Sequence, residues 1–280
     1  MNIVERLTDC IRNKIPVSFS KYGDGEYFCA SSLNTSNITD ANCDGDLYTN
    51  KLRNGLINSF KYMTQEMNNS YIGMWWDENK NEFWKSLVED TDKIKWAYYH
   101  TFIVDKTDFG TDIIRQKMDL YKSVQESNLK KIIVCNPLLV KLQYLVKSDH
   151  MVNIPFNNWF DTKFEEVLDT IKMHIGDDEQ PMVITSCGMA AKVIICELTK
   201  LYPKGIFLDF GSAPDFICTK RDSRGGPYTY AEMYNAFLPV LPPDWHDEKY
   251  EYIYKEAACR LGIHLGDHAY NVYLSQINRR

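Results

Sequence analysis

The sequence lacks a basic excess: 32 Lys and Arg stand against 38 Asp and Glu in 280 residues, a net charge of −6. That balance argues against a chain built to cover nucleic acid or an anionic membrane surface, either of which calls for a positive field. A local basic patch for a small anionic ligand stays open. No stretch approaches the ~18 uncharged apolar residues that a membrane span requires. The start, Met1-Asn2-Ile3-Val4-Glu5-Arg6, has neither a long apolar run nor a small-residue cleavage site, so no secretory signal is expected. The three N-x-S/T triplets, at Asn34, Asn37 and Asn68, then carry no weight. Eight cysteines are present without a C-x-x-C pair for zinc or redox chemistry. Cys135 and Cys196 sit inside apolar runs, so buried reduced thiols and a cytoplasmic compartment are expected. Walker loop, G-x-G-x-x-G, internal repeat and Gly/Ser linker are all missing. One domain over 1–280 is therefore expected, with a core at about 16–215 and a C-terminal lid and helices over 216–280.

Short apolar segments alternate with amphipathic ones along the chain. Strands are expected at 17–20, 71–76, 95–104, 131–135, 151–154, 181–185 and 205–211. Helices are expected at 1–15, 47–66, 79–90, 111–127, 138–147, 161–174, 189–201 and around 247–262. The polar stretch 31–46 is expected to be a surface loop. This alternation predicts an α/β fold with a mostly parallel, Rossmann-like sheet covered by helices on both faces. Aromatic residues make up 13% of the chain, which suits stacking on ring-shaped ligands and a Tyr-rich core equally well.

In such sheets ligands bind at the carboxyl ends of the strands, and four ends here are chemically distinctive. Asp24-Gly25-Glu26 follows the first strand directly. In an extended backbone its two carboxylates share one side, as paired hard ligands for Mg or Mn on a diphosphate would. An acidic turn explains the same spacing. Ser186-Cys187-Gly188-Met189-Ala190-Ala191-Lys192 passes through small residues into a helix, a setting for phosphate at a helix N-terminus. Cys187 there is also a candidate nucleophile at a strand-to-helix elbow, without the elbow's preceding glycine or an evident His partner.

Asp77-Glu78 follows Trp75-Trp76. Asp77 is a candidate general base and the tryptophans a candidate sugar-stacking surface. Core tryptophans with Asp77 as a helix cap explain the same residues. Asp209-Phe210-Gly211-Ser212 ends the last strand, with Asp209 a second candidate base. Lys220 to Gly226 then forms a basic, glycine-bearing loop in which Arg221 and Arg224 are candidate diphosphate counter-charges. His264 and His268 are four apart, but Gly262 and Gly266 interrupt any helix there, so no metal site is expected.

Taken together these segments resemble the GT-D-type glycosyltransferases. Phe19-Ser20-Lys21-Tyr22-Gly23-Asp24-Gly25-Glu26 is similar to that family's metal-binding D-x-E signature, with Lys21 where the family commonly has Arg, losing the planar fork. Ile154-Pro155-Phe156-Asn157-Asn158 resembles its proline-and-asparagine turn, Ser186 to Lys192 its small-residue turn, and Leu208-Asp209-Phe210-Gly211 its final strand. Ser212-Ala213-Pro214-Asp215 departs from the His and acidic residues that often follow. Size and overall character also resemble viral xylosyltransferases that help build protein-linked glycans.

The resemblance implies a GT-D-like fold, a uridine diphosphate sugar donor, a glycan hydroxyl as acceptor, and Mn or Mg. Asp24 and Glu26 would hold the metal. Lys21, Tyr22, Gly23, Ser186, Cys187, Gly188, Met189, Ala190, Lys192, Arg221 and Arg224 would bind the donor. Asp77, or else Asp209, would act as base, and a single base implies inversion. Two other classes stay open: a Rossmann-like methyltransferase with a sulfonium cofactor, and a non-catalytic carbohydrate-binding protein stacking sugars on Trp75, Trp76 and Trp159.

Overall fold

The computed structural model describes residues 2–31, 41, 46–65, 69–155, 158–219 and 229–245. Seven strands, β1 (Val17–Tyr22), β2 (Ser70–Met74), β3 (Trp96–Tyr98), β4 (Lys131–Cys135), β5 (His150–Asn153), β6 (Met182–Ser186) and β7 (Ile206–Asp209), form one sheet in the order β3-β2-β1-β7-β6-β4-β5. Every pairing is parallel. Parallel neighbours need a long crossover, and helices supply it. The expected α/β architecture with a Rossmann-like sheet is therefore present, and all-parallel among the described strands.

Central position shows in burial. All residues of β1, β4, β6 and β7 are buried, whereas edge strands β3 and β5 are buried only in part. One face of the sheet is covered by α1 (Ile3–Arg12), α5 (Asp112–Glu126), α6 (Leu142–Val146), α9 (Asp215–Thr219) and α10 (Tyr230–Phe237). The other carries α2 (Asp24–Ser31), α3 (Asn50–Met63), α4 (Glu78–Lys85), α7 (Trp159–Ile175) and α8 (Ala191–Leu201). The helices begin where the sequence offers caps: Asn2 and Glu5 form a reciprocal capping box, and Thr49, Asp77 and Thr111 each accept a first-turn N–H.

Three elements depart from expectation. The strand expected over 95–104 stops at Tyr98, because β3 has one neighbour and pairs only with Ile72–Met74. Beyond it the chain turns, Thr101 N–H donating to Tyr98 O and Ile103 N–H to His100 O. The helix expected over 138–147 divides into a 3-10 turn at Pro137–Leu139 and the short α6, closed by Lys147 at φ 52°. The extended Asp24-Gly25-Glu26 is instead the first turn of α2. The loop at 31–46 falls largely, and the helix at 247–262 wholly, outside the described residues.

β7 is the middle strand and pairs with β1, so the first and last strands are neighbours. Residues at their carboxyl ends, 188 positions apart in the case of Lys21 and Asp209, meet at that edge of the sheet. Behind this edge Phe210 stacks on Phe102 with centroids 4.3 Å apart and meets Tyr121 edge-on at 5.3 Å, anchoring the turn after β7. Such ring pairs add ~0.5–1.5 kcal/mol beyond area burial.

Candidate active site

At this edge β1 contributes Lys21, the start of α2 contributes Glu26, β7 ends in Asp209, and α8 carries Lys192 in its first turn. The Lys192 ammonium lies 2.6 Å from Glu26 Oε1 and 3.0 Å from Asp209 Oδ2, and donates to Gly188 O at 3.3 Å. All three charged side chains are buried. Burial works against the Lys192 charge, but Asp209 and then Glu26 outweigh it and hold the ammonium well above lysine's ordinary 10.5. Asp209 Oδ2 also accepts the Lys21 N–H at 3.0 Å, while its buried Oδ1 has no hydrogen-bond partner among the described residues. Lys21 itself donates to Phe210 O at 3.1 Å and lies 5.0 Å from the Tyr99 ring centroid.

Helical geometry divides the acidic pair. Residues two apart on an α-helix point roughly 200° away from each other, so Asp24 is exposed while Glu26 turns into the protein. Glu26 sits three residues after Gly23 and accepts the Gly23 N–H at 2.9 Å, half of a capping box. Asp24 Oδ1 accepts from Gly25 N–H at 2.9 Å. Gly23 is required by a close approach, since a Cβ there would lie 2.7 Å from the Tyr99 hydroxyl.

A divalent ion in a diphosphate site takes one or two carboxylates and completes its shell with phosphate oxygens and water. Both Glu26 oxygens are already engaged by protein donors. Among the described residues no three His, Cys, Asp or Glu side chains gather as a metal cage. With Glu26 so engaged the two carboxylates do not enclose one ion, and Asp24 is the exposed member of the pair.

β6 leads into the small-residue turn as expected. Ser186 donates to Gly211 O at 2.5 Å, Gly188 adopts φ 68°, and a 3-10 turn at Gly188–Ala190 precedes α8. Met189 and Ala190 are buried, as is Tyr22, whose hydroxyl pairs with Ser59 at 3.1 Å. Cys187 is buried too, and burial first, then the neighbouring Asp209, push its thiol far up, which removes the thiolate a nucleophile needs. Lys192 is committed to protein acceptors and is a brace, not a free counter-charge.

Asp77 caps α4: its Oδ1 accepts the Asn79 N–H at 3.1 Å and its Oδ2 lies 3.6 Å from Lys80 Nζ. Its side chain is about 37% exposed, whereas Asp209 is wholly buried. Of the two candidate bases only Asp77 is open to an incoming hydroxyl. Trp76 is exposed, Trp75 partly so, and Trp159 lies in the core against Phe164, which removes it from any sugar-stacking surface. Asn158, at φ 52°, accepts the Leu47 N–H. Arg221 and Arg224, with Phe156, Asn157, His264 and His268, lie outside the described residues.

Sequence reasoning missed Tyr99 and gave Gly211 no role beyond its place at the end of the last strand. A Cβ at Gly211, which has φ +53°, would lie 2.1 Å from Lys21 Nζ. The run Tyr98-Tyr99-His100 at the end of a strand was the available signal for the first. No family model matches the chain, and no curated protein matches it. Solved structures do. One described as a new glycosyltransferase (DUF1792) from Streptococcus sanguinis superposes with a TM-score of 0.54 at 14% identity, over 88% of this chain and 95% of that one. The chain has the fold of a described glycosyltransferase. A second structure, described as a highly conserved domain of unknown function 1792 with a distinct glycosyltransferase fold, gives a TM-score of 0.48 at 14% identity over 88% of this chain and 97% of that one. No described helix is long and apolar enough to cross a membrane.

Proposed function

We propose that the protein is a glycosyltransferase that moves a sugar from a nucleoside diphosphate to a glycan hydroxyl. The observation that carries this reading is the meeting of Lys21, Glu26, Ser186, Lys192 and Asp209 at three adjacent strand ends, in a sheet shared with a described glycosyltransferase. The backbone from Ser186 to Ala190 supports the donor phosphates, and Lys21, Tyr22 and Gly23 form the opposing wall. Asp24 would hold Mn or Mg, which would offset charge developing on the leaving diphosphate. Glu26 and Asp209, pinned by Lys192, fix the α2 and β7 ends that frame this cleft. Asp77 takes the acceptor's proton as its oxygen attacks the anomeric carbon opposite the leaving group. One carboxylate acting in direct displacement inverts the configuration. A uridine diphosphate sugar is the donor class, with xylose the sugar to test first and a protein-linked glycan the acceptor; the sequence resemblance supports these choices. Cytoplasmic residence is consistent with the six described cysteines, all of them buried.

The test is release of diphosphate from a panel of uridine diphosphate sugars, with and without Mn, in the wild type and in Asp77→Asn and Asp24→Asn. Asparagine caps a helix as well as aspartate, so Asp77→Asn keeps α4 intact and isolates the chemistry. It should lower transfer by ~10²–10⁴-fold, the usual contribution of a general base, with donor affinity nearly unchanged. Asp24→Asn should abolish the Mn-dependent part of donor binding in calorimetry. Normal turnover by Asp77→Asn would overturn the base, and Mn-dependent binding unchanged in Asp24→Asn would overturn the metal ligand.

A further inference from the structure

The large aromatic side chains exposed among the described residues, Phe28, Trp76 and Tyr98, belong to one corner of the carboxyl edge. Trp76 is 70% exposed, and its indole stacks on Trp75 with centroids 3.5 Å apart and planes 26° from parallel. Trp75 is held in turn by Tyr99 at 4.5 Å and by Asn81, whose amide donates to its carbonyl at 2.8 Å. His100 stands edge-on to Trp76 at 5.7 Å and close to Tyr98 at 5.4 Å. Lys80 lies 5.1 Å from the Phe28 ring centroid and 5.9 Å from that of Trp75, joining α2 to this corner. An indole this exposed loses its hydrophobic stabilisation to water, yet its orientation is fixed from below.

We propose that this corner is the acceptor subsite, with Trp76 the platform on which one ring of a neutral saccharide stacks. The assignment rests on the glycosyltransferase reading for the word acceptor, and on the corner's own chemistry for the saccharide. A sugar ring presents a face of C–H groups about the size of an indole and an edge of hydroxyls. The corner presents the matching pair, a flat ring and a polar rim of Asp77, Lys80, His100 and Asp105. Each basic group of the rim has a carboxylate beside it: Lys80 lies 3.6 Å from Asp77, and His100 Nδ1 3.2 Å from Asp105. A rim whose basic groups already face carboxylates draws no anion, which sets the corner apart from a phosphate site and suits an uncharged ligand. A protein partner needs about 800 Å² of matching surface, far more than a few rings. Position agrees as well. β2 lies two strands from β7, roughly 10 Å at ~4.8 Å per strand, so a sugar on Trp76 sits beside the diphosphate cleft and not in it. Asp77 follows Trp76 directly, which brings the proposed base to the stacked ring.

The experiment uses the full chain and neutral xylo-, galacto- and manno-oligosaccharides as probes. Without any donor, at least one series should quench tryptophan fluorescence saturably. Trp76→Ala should abolish that change, and Trp76→Phe, which keeps a flat ring, should restore part of it. With donor present, Trp76→Ala should raise the acceptor KM at least tenfold with kcat changed less than threefold. Trp76 is exposed, so an unaltered melting curve should accompany both variants. Absence of saturable binding by every neutral series would overturn the saccharide, and an unchanged acceptor KM in Trp76→Ala would overturn the subsite. A wild type that releases no diphosphate from any nucleotide sugar would sink the glycosyltransferase reading alone, since the donor-free titration still decides the platform.

Discussion

Lys192 and Lys131 are both buried lysines, at opposite ends of the sheet, and they are neutralised in different ways. Lys192, at the carboxyl edge, faces two carboxylates. Lys131, at the amino end of β4, donates to the carbonyls of Val124, Gln125 and Ser127 at 3.3, 3.0 and 3.0 Å. It thereby satisfies acceptors left over at the C-terminus of α5, where the helix dipole also favours a cation. Carbonyl dipoles replace water only in part, so burial lowers the Lys131 pKa, whereas two opposite charges raise that of Lys192. A lysine that closes a helix is a structural device. A lysine that holds one carboxylate from α2 and another from the end of β7 ties these elements together at the end of the sheet where the chemistry is proposed.

The contrast is sharpened most by removing each ammonium. Lys192→Met leaves Glu26 and Asp209 buried without their shared cation and should cost ~3–5 kcal/mol, the usual penalty for breaking a buried ion pair from one side. Lys131→Met strands carbonyls only and should cost ~1–3 kcal/mol. Urea unfolding of the three proteins measures both, and equal losses would erase the distinction.

Alkaline titration separates the two by sign. The folded pKa of Lys192 lies above its unfolded 10.5, so its stabilisation is complete below pH 10.5 and is lost as pH rises beyond that. The folded pKa of Lys131 lies below 10.5, so the unfolded chain holds the proton longer and stability rises through that window. The stability gap between wild type and Lys192→Met should therefore narrow above pH 10.5, while the gap to Lys131→Met should widen as pH climbs toward 10.5. Parallel pH profiles would contradict the assigned environments.

A smaller effect is expected from Gly211→Ala, at ~1–3 kcal/mol. The added Cβ would displace Lys21 Nζ from 2.1 Å and strain a backbone at φ +53°. A melting temperature within one degree of wild type would show that Lys21 is free to move.

Much of this was legible in the sequence. The run Lys131-Ile132-Ile133-Val134-Cys135 could only be a strand buried on both faces, and β4 occupies those residues. The small-residue turn at 186–190 read correctly as a strand-to-helix junction. The acidic pair did not, because a two-residue spacing means one side of a strand and opposite sides of a helix. Gly23 followed three residues later by Glu26 was the cue that a helix begins there. Pairing of Lys192 with Glu26 and Asp209 was not legible at all, since it depends on β1 and β7 being neighbours, which no local pattern encodes.

That adjacency has a consequence for biosynthesis. Because β7 is inserted beside β1 only after six other strands exist, the cleft is completed by a contact between residues near opposite ends of the sheet-forming chain. Closing so long a loop costs entropy that grows with its length and delays the step. A polypeptide still on the ribosome and short of Gly211 lacks the β1–β7 edge on which the proposed donor site stands. On that proposal, nucleotide sugar would stabilise only chains that have finished pairing, reporting the end of folding rather than assisting its beginning.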